Sequence, residues 1–222
     1  SRYTFLVNLS DAVRRLVVFL LFYAVLVALH CSLLPLSYFW DEAGYHIPAA
    51  WDIYKAWDFV PTSTLPTGHT PLVMTYLAFA WHTFGYSPVV TRLAMILIAS
   101  ATVSATYVLA RRLVGREPAG WSATLLALSP LFFAQSTLVF LDLPAALFTV
   151  LAVDALMAGR MRLFAMTASL AVLTKATSFV LLPVAWLYSW GQARACRATS
   201  SSDLAPESTG RHLARCWRWA FL

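Results

Sequence analysis

Charged side chains are scarce in this sequence: Asp, Glu, Lys and Arg make up 12% of its 222 residues, about half the share of an ordinary soluble domain. That scarcity argues against the one or two soluble domains this length would otherwise suggest. Cysteine is sparse too. Cys31, Cys196 and Cys216 show no metal-ligand or disulfide spacing, which excludes a cysteine-built zinc site and a disulfide scaffold. The five histidines have no HxxxH or HxH arrangement. P-loop, dinucleotide-binding fingerprint and nucleophile elbow are all missing, so nucleotide-binding and serine-hydrolase chemistry have no motif to stand on.

What is abundant is apolar surface, at 60% of residues. Several apolar runs approach the ~20 residues a helix needs to cross ~30 Å of hydrocarbon, so the expected fold class is an all-α polytopic membrane protein. Spans are expected at about 14–36, 88–113, 118–138, 143–158, 163–174 and 176–190. The first run is longer than the apolar region of a signal peptide, lacks a small-residue cleavage site and is followed by more spans, so it reads as retained. The stretch after it is broken by Pro61, Pro66, Gly68 and Pro71. It holds two segments, about 43–58 and 72–84, that read as helices lying along the interface. In the first of these, Ile47, Trp51 and Tyr54 share one face, with Asp52 and Lys55 away from its centre. The run from Leu163 to Trp190 contains Lys175, which is costly in mid-bilayer. Two helices meeting near Lys175 at the membrane face avoid that cost. Residues 191–216 read as a basic cytoplasmic loop and 217–222 as the start of a further span. Together with the missing initiator methionine, this leads us to expect a fragment of a longer protein.

The formal charge of +6 does not call for a nucleic-acid partner, because the basic residues fall in short runs between spans. Orientation explains them better. A cytoplasmic N-terminus places Arg2, Arg14, Arg15, Arg111, Arg112, Arg116, Arg160 and Arg162 inside together. Only Lys55, Arg92 and Lys175 then stay outside, beside Asp41, Glu42, Asp52, Asp58 and Asp142. That outer cluster is where chemistry is expected.

Within it, Trp40-Asp41-Glu42-Ala43-Gly44-Tyr45 sets two adjacent carboxylates just beyond the first span. Either can serve as a helix N-cap or as a proton acceptor. Asp142, in Leu141-Asp142-Leu143-Pro144, faces the same alternatives. Arg92 and Lys175 are cations at the outer edge of apolar helices, where the choice is between snorkelling and a functional contact. His69 precedes the second short helix, and His46 and His82 lie on or beside the loop helices.

In order along the chain these features are Asp41-Glu42-x-x-Tyr45, Gly68-His69-Thr70-Pro71-Leu72, Phe84-Gly85, Arg92-Leu93, Ala110-Arg111-Arg112-Leu113-Val114-Gly115-Arg116, Leu128-Ser129-Pro130, Leu141-Asp142-Leu143-Pro144 and Leu173-Thr174-Lys175. The ordered set resembles the N-terminal half of a GT-C glycosyltransferase. It is most similar to the branch holding the protein O-mannosyltransferases and the aminoarabinose transferase of lipid A. Where relatives often carry Lys-Pro-Pro or His-Pro-Pro, this chain has His69-Thr70-Pro71.

The resemblance covers about Asp11 to Trp190 and implies a GT-C-type transmembrane helix bundle. It implies transfer of a sugar from a polyprenyl-phosphate donor to a hydroxyl-bearing or amine-bearing acceptor at the extracytoplasmic face, without a nucleotide sugar. In that reading Asp41 is the general base, Glu42 assists, Asp142 is a second acidic position, and Lys175, Arg92 and His69 contact the donor phosphate. No metal is obligatory, although Asp41 and Asp142 could hold Mg²⁺ or Mn²⁺ through oxygen ligands. The expected location is a bacterial inner membrane with a periplasmic active site. The competing readings are a transporter or flippase for a lipid-linked substrate and a non-catalytic scaffold.

Overall fold

The computed structural model describes residues 2–66 and 68–202. The expected span start at 217–222 and the rest of the expected loop from 203 onward lie outside the described residues. Among the described residues all regular structure is helical. In chain order it comprises α1 (Arg2–His30), a π-turn (Glu42–His46), α2 (Ile47–Ala56), α3 (Leu72–Phe84), α4 (Pro88–Val114), α5 (Arg116–Leu128), α6 (Pro130–Gln135), α7 (Asp142–Met157), α8 (Met161–Thr174), a 3₁₀ turn (Ala176–Val180) and α9 (Leu181–Ser202).

Local chemistry sets the ends of these elements. The Ser87 hydroxyl accepts from the Val90 N–H at 3.2 Å, and Pro88 occupies the first turn, where its missing N–H costs nothing. From there α4 runs uninterrupted for about 40 Å to Gly115, whose φ of 94° takes the chain out of the helix. The sequence reading of one span over 118–138 is corrected here. Pro130 cannot continue a helix begun upstream and forces Ser129 into extended backbone. Two shorter helices result, α5 and α6, the second capped by the Ser129 hydroxyl accepting from the Phe132 N–H. The first helix stops at His30, not Leu36. The His30 ring bonds the Leu26 carbonyl at 2.8 Å and the Phe133 carbonyl at 2.9 Å, and the chain turns directly afterwards. At the other end, α9 continues through 191–202, where a loop was expected.

α4 is the hub, packing on α1, α3, α5 and α7, while α7 lies against α8. Its buried Ile96, Ala99 and Val103 meet Leu26 of α1, Ala123 of α5 and Leu143 of α7. Alanines at 152 and 155 of α7 and at 168 and 171 of α8 are buried in a second cluster, and their small side chains let the two helices approach closely. Among the described residues α4 is the one helix long and apolar enough to cross a membrane; Leu16–His30, α3 and α8 are apolar but shorter.

The loop between α1 and α4 forms a compact cap. α2 buries Ile47, Ala49, Ala50 and Ile53, a face rotated from the expected Ile47–Trp51–Tyr54 stripe. The reason is the contact with α3. Trp51 and Tyr54 instead join an aromatic cluster with Trp81 and Tyr86, and Lys55 sits 4.7 Å from the Trp51 ring centre. Asp52, expected away from the centre of that stripe, is buried and accepts the N–H groups of Thr62 and Ser63 at 2.8 and 2.9 Å. Burial raises its pKa, but these hydrogen bonds outweigh that and hold it below the ordinary carboxylate value.

A buried ion pair ties the cap to the helices. Arg92 Nη1 donates to Glu42 Oε1 at 2.5 Å, and Nη2 donates to Oε2 at 3.1 Å. Arg92 also reaches the Thr137 carbonyl at 2.8 Å, while Glu42 accepts the Val139 N–H at 2.6 Å. Tyr38 lies beneath, its ring 5.5 Å from the guanidinium; burial pushes its phenol up to about 12, so it stays protonated. With the arginine 2% exposed and the glutamate fully buried, removing one partner strands a charge away from water. Glu42→Ala should therefore cost about 3–5 kcal/mol, measured as unfolding in detergent, whereas the double change Glu42→Leu with Arg92→Met should recover much of it. A single variant as stable as wild type would contradict this account.

Candidate functional site

The backbone reaches the site through a strained corner. Trp40 has φ 54°, a left-handed conformation that is an outlier for a bulky side chain and costs about 1–3 kcal/mol. The following π-turn closes with the Ile47 N–H on the Glu42 carbonyl five residues back. Such turns occur mostly as single insertions in helices, frequently at functional sites. The two neighbouring acids separate here: Glu42 turns inward to Arg92, and Asp41 lines a cavity of about 430 Å³.

That cavity is also lined by Tyr45, His46, His69, Asp142 and Lys175, with apolar walls from Leu65, Pro66, Phe140 and Leu141. Four separate parts of the chain supply the polar groups. Asp142 is the first residue of α7. Lys175 is extended, with φ −149° and ψ 123°, between α8 and the 3₁₀ turn, so the helix break expected at this lysine is present. Its ammonium is ion-paired with the Asp142 carboxylate. The loop carrying His69 is fastened beside it, the Thr70 hydroxyl donating to the Leu173 carbonyl. Earlier in the same loop, the Thr64 hydroxyl donates to the Gly44 carbonyl at 2.7 Å.

Asp41 and Asp142 both stand at helix beginnings, yet neither caps its helix through the side chain. Asp41 precedes the π-turn without a side-chain cap bond, and α7 is preceded by Leu141. The capping alternative thus leaves both carboxylates unexplained. Two other assignments are corrected. Glu42 and Arg92 do not line the cavity; they are fully engaged with each other and with backbone groups in the interior. An assisting acid and a phosphate contact both need access, which burial denies them. Asp41, His69, Asp142 and Lys175 are the predicted residues that share the cavity.

His46 is the contributor that sequence reasoning did not assign. It is 7% exposed, and its Nδ1 is buried without a hydrogen-bond partner. Five positions after Asp41 it would point well off that residue's direction on a regular α-helix; the π-turn brings both to one cavity. A π-turn has no clear sequence signature, although Gly44 within it was visible. Among the described residues no three His, Cys, Asp or Glu side chains gather closely enough to hold a metal ion.

Comparisons with protein-family models, with curated proteins and with solved structures find no match.

Burial pushes the His46 imidazole below its ordinary value of 6.5, with the Asp41 carboxylate opposing and His69 reinforcing the shift. The folded state therefore binds this proton less tightly than the unfolded chain. The stability tied to the neutral ring is present above about 6.5 and is lost as pH falls below it. Between pH 7 and pH 5 the melting temperature of the wild type should drop relative to that of His46→Gln. A difference that stays constant with pH would mean that burial does not hold the ring neutral.

Proposed function

We propose that the protein is an integral-membrane inverting glycosyltransferase of the GT-C type, moving a sugar from a polyprenyl-phosphate donor to a hydroxyl or amine acceptor at the extracytoplasmic face. The observation that carries this reading is the meeting of Asp41 and Lys175, far apart in the chain, on one cavity. Displacement at an anomeric carbon with a phosphate leaving group needs those two capacities, a base for the acceptor and a cation for the departing oxygen. Asp41 takes the acceptor proton as the acceptor atom bonds the anomeric carbon. The bond from that carbon to the phosphate oxygen breaks, and its electron pair leaves with the polyprenyl phosphate. Lys175 stabilises the charge that develops there, and Asp142 holds its ammonium in position. One base acting opposite the leaving group gives inversion.

The apolar exterior supports a membrane location. Leu20, Leu21, Val25 and Leu29 of α1 are each about half exposed, and so are Leu182, Val184, Trp186 and Leu187 of α9. Soluble monomers rarely present contiguous apolar patches of that kind. The distribution of arginines favours the same topology: Arg111, Arg112 and Arg160 cluster at one end of α4, α7 and α8, and the cavity lies at the other. A non-catalytic scaffold has no use for a carboxylate held at a strained corner, and a flippase has no need of a base.

Asp41→Asn should lower turnover by about 10²- to 10⁴-fold in a transfer assay with lipid-linked sugar, with membrane insertion unchanged. Turnover near wild type would remove the base assignment. Lys175→Ala should lower kcat/KM for the donor by about tenfold or more; a change confined to acceptor dependence would end its phosphate role.

A further inference from the structure

A second cavity, of about 480 Å³, lies between α1, α4, α7 and α8, away from the site described above. α4 contributes Ala101, Ser104, Ala105, Val108 and Arg111, a stripe at helical spacing whose small members leave a trough. Leu147 and Leu151 of α7 and Leu16 and Phe19 of α1 wall it with hydrocarbon. Its polar mouth is basic. Arg111 and Arg160 line it, and neither guanidinium has an ion-pair or hydrogen-bond partner among the described residues. Asp154, the acid in the lining, is already held by Arg112 at 2.8 and 3.2 Å. The Ser104 hydroxyl on the wall is buried and unpartnered.

Two unpaired guanidiniums at the mouth of a hydrocarbon-walled trough need an amphiphile with an anionic head. From this geometry we propose that the cavity is a binding site for an anionic glycerophospholipid, its phosphodiester on Arg111 and Arg160 and its acyl chains running along α1 and α4. Arginine suits the role because its planar fork bonds a phosphodiester through two N–H groups at once. Basic pockets between membrane helices on the cytoplasmic side are the usual seat of such headgroups. The inference rests on the membrane location proposed above but not on the transfer chemistry: a bound lipid here is independent of what Asp41 does.

The test begins with alkaline extraction of membranes containing the protein; release into the wash would remove both the membrane reading and this site. The retained protein is then titrated in detergent with phosphatidylglycerol or phosphatidylcholine and examined by native mass spectrometry. Phosphatidylglycerol should bind preferentially. Arg111→Gln and Arg160→Gln should each weaken it by about fivefold, and the pair by about 25-fold. Arg116→Gln with Arg162→Gln, which removes the same charge outside the cavity lining, should leave the affinity within about twofold. Equal losses in the two double variants would reduce the effect to general surface charge and overturn the site. Retention of phosphatidylcholine as strongly as phosphatidylglycerol, or displacement of the lipid by equimolar inorganic phosphate, would overturn it as well.

Discussion

The organising interaction is the buried contact between Glu42 and Arg92. Two ions removed from water each carry a desolvation cost of several kcal/mol, and mutual attraction offsets it only when the remaining hydrogen-bonding capacity is also met. Here it is met by the Thr137 carbonyl, the Val139 N–H and, more weakly, the Ser37 carbonyl at 3.4 Å. Three chain segments are thereby fixed against α4: the exit from α1, the π-turn and the turn that leads into α7. These same segments carry Asp41 and Asp142. Positioning of the cavity acids is thus inherited from a pair that never touches the cavity.

Lys175 and Asp142 form a different kind of contact. Their side chains are 30% and 53% exposed, so water screens the attraction and the bond is easily exchanged. A buried pair specifies shape; an accessible one can be opened at little cost. The neutral His46 beside them adds a hydrogen-bonding group without adding to the charge. The cavity therefore brings two carboxylates, one ammonium and the His46 imidazole onto one wall-lined space.

The sequence was most informative where one residue dominates its surroundings. Lys175 could not lie within a continuous apolar helix, and the chain does break there. The segment 72–84 begins after Pro71 and ends before Gly85, and α3 has those limits. Reading failed where the answer depended on tertiary partners. Nothing in Arg92 itself announces that its partner is Glu42, fifty positions away, so both were given accessible roles. Pro130 was in plain view, but hydropathy continues across it and masked the break between α5 and α6. The burial of Asp52 depends on two backbone N–H groups ten and eleven residues downstream, which no periodicity encodes.

Asp41 and Glu42 are chemically almost the same residue and adjacent in the chain, yet they answer to different demands. One is constrained by what enters the cavity, the other by whether the cap and the helices stay joined. Removing the second strands a buried charge on Arg92. Sliding this segment by a single position would set the glutamate at the cavity and leave the interior arginine without its counter-ion. In this dipeptide sequence order carries meaning that composition does not.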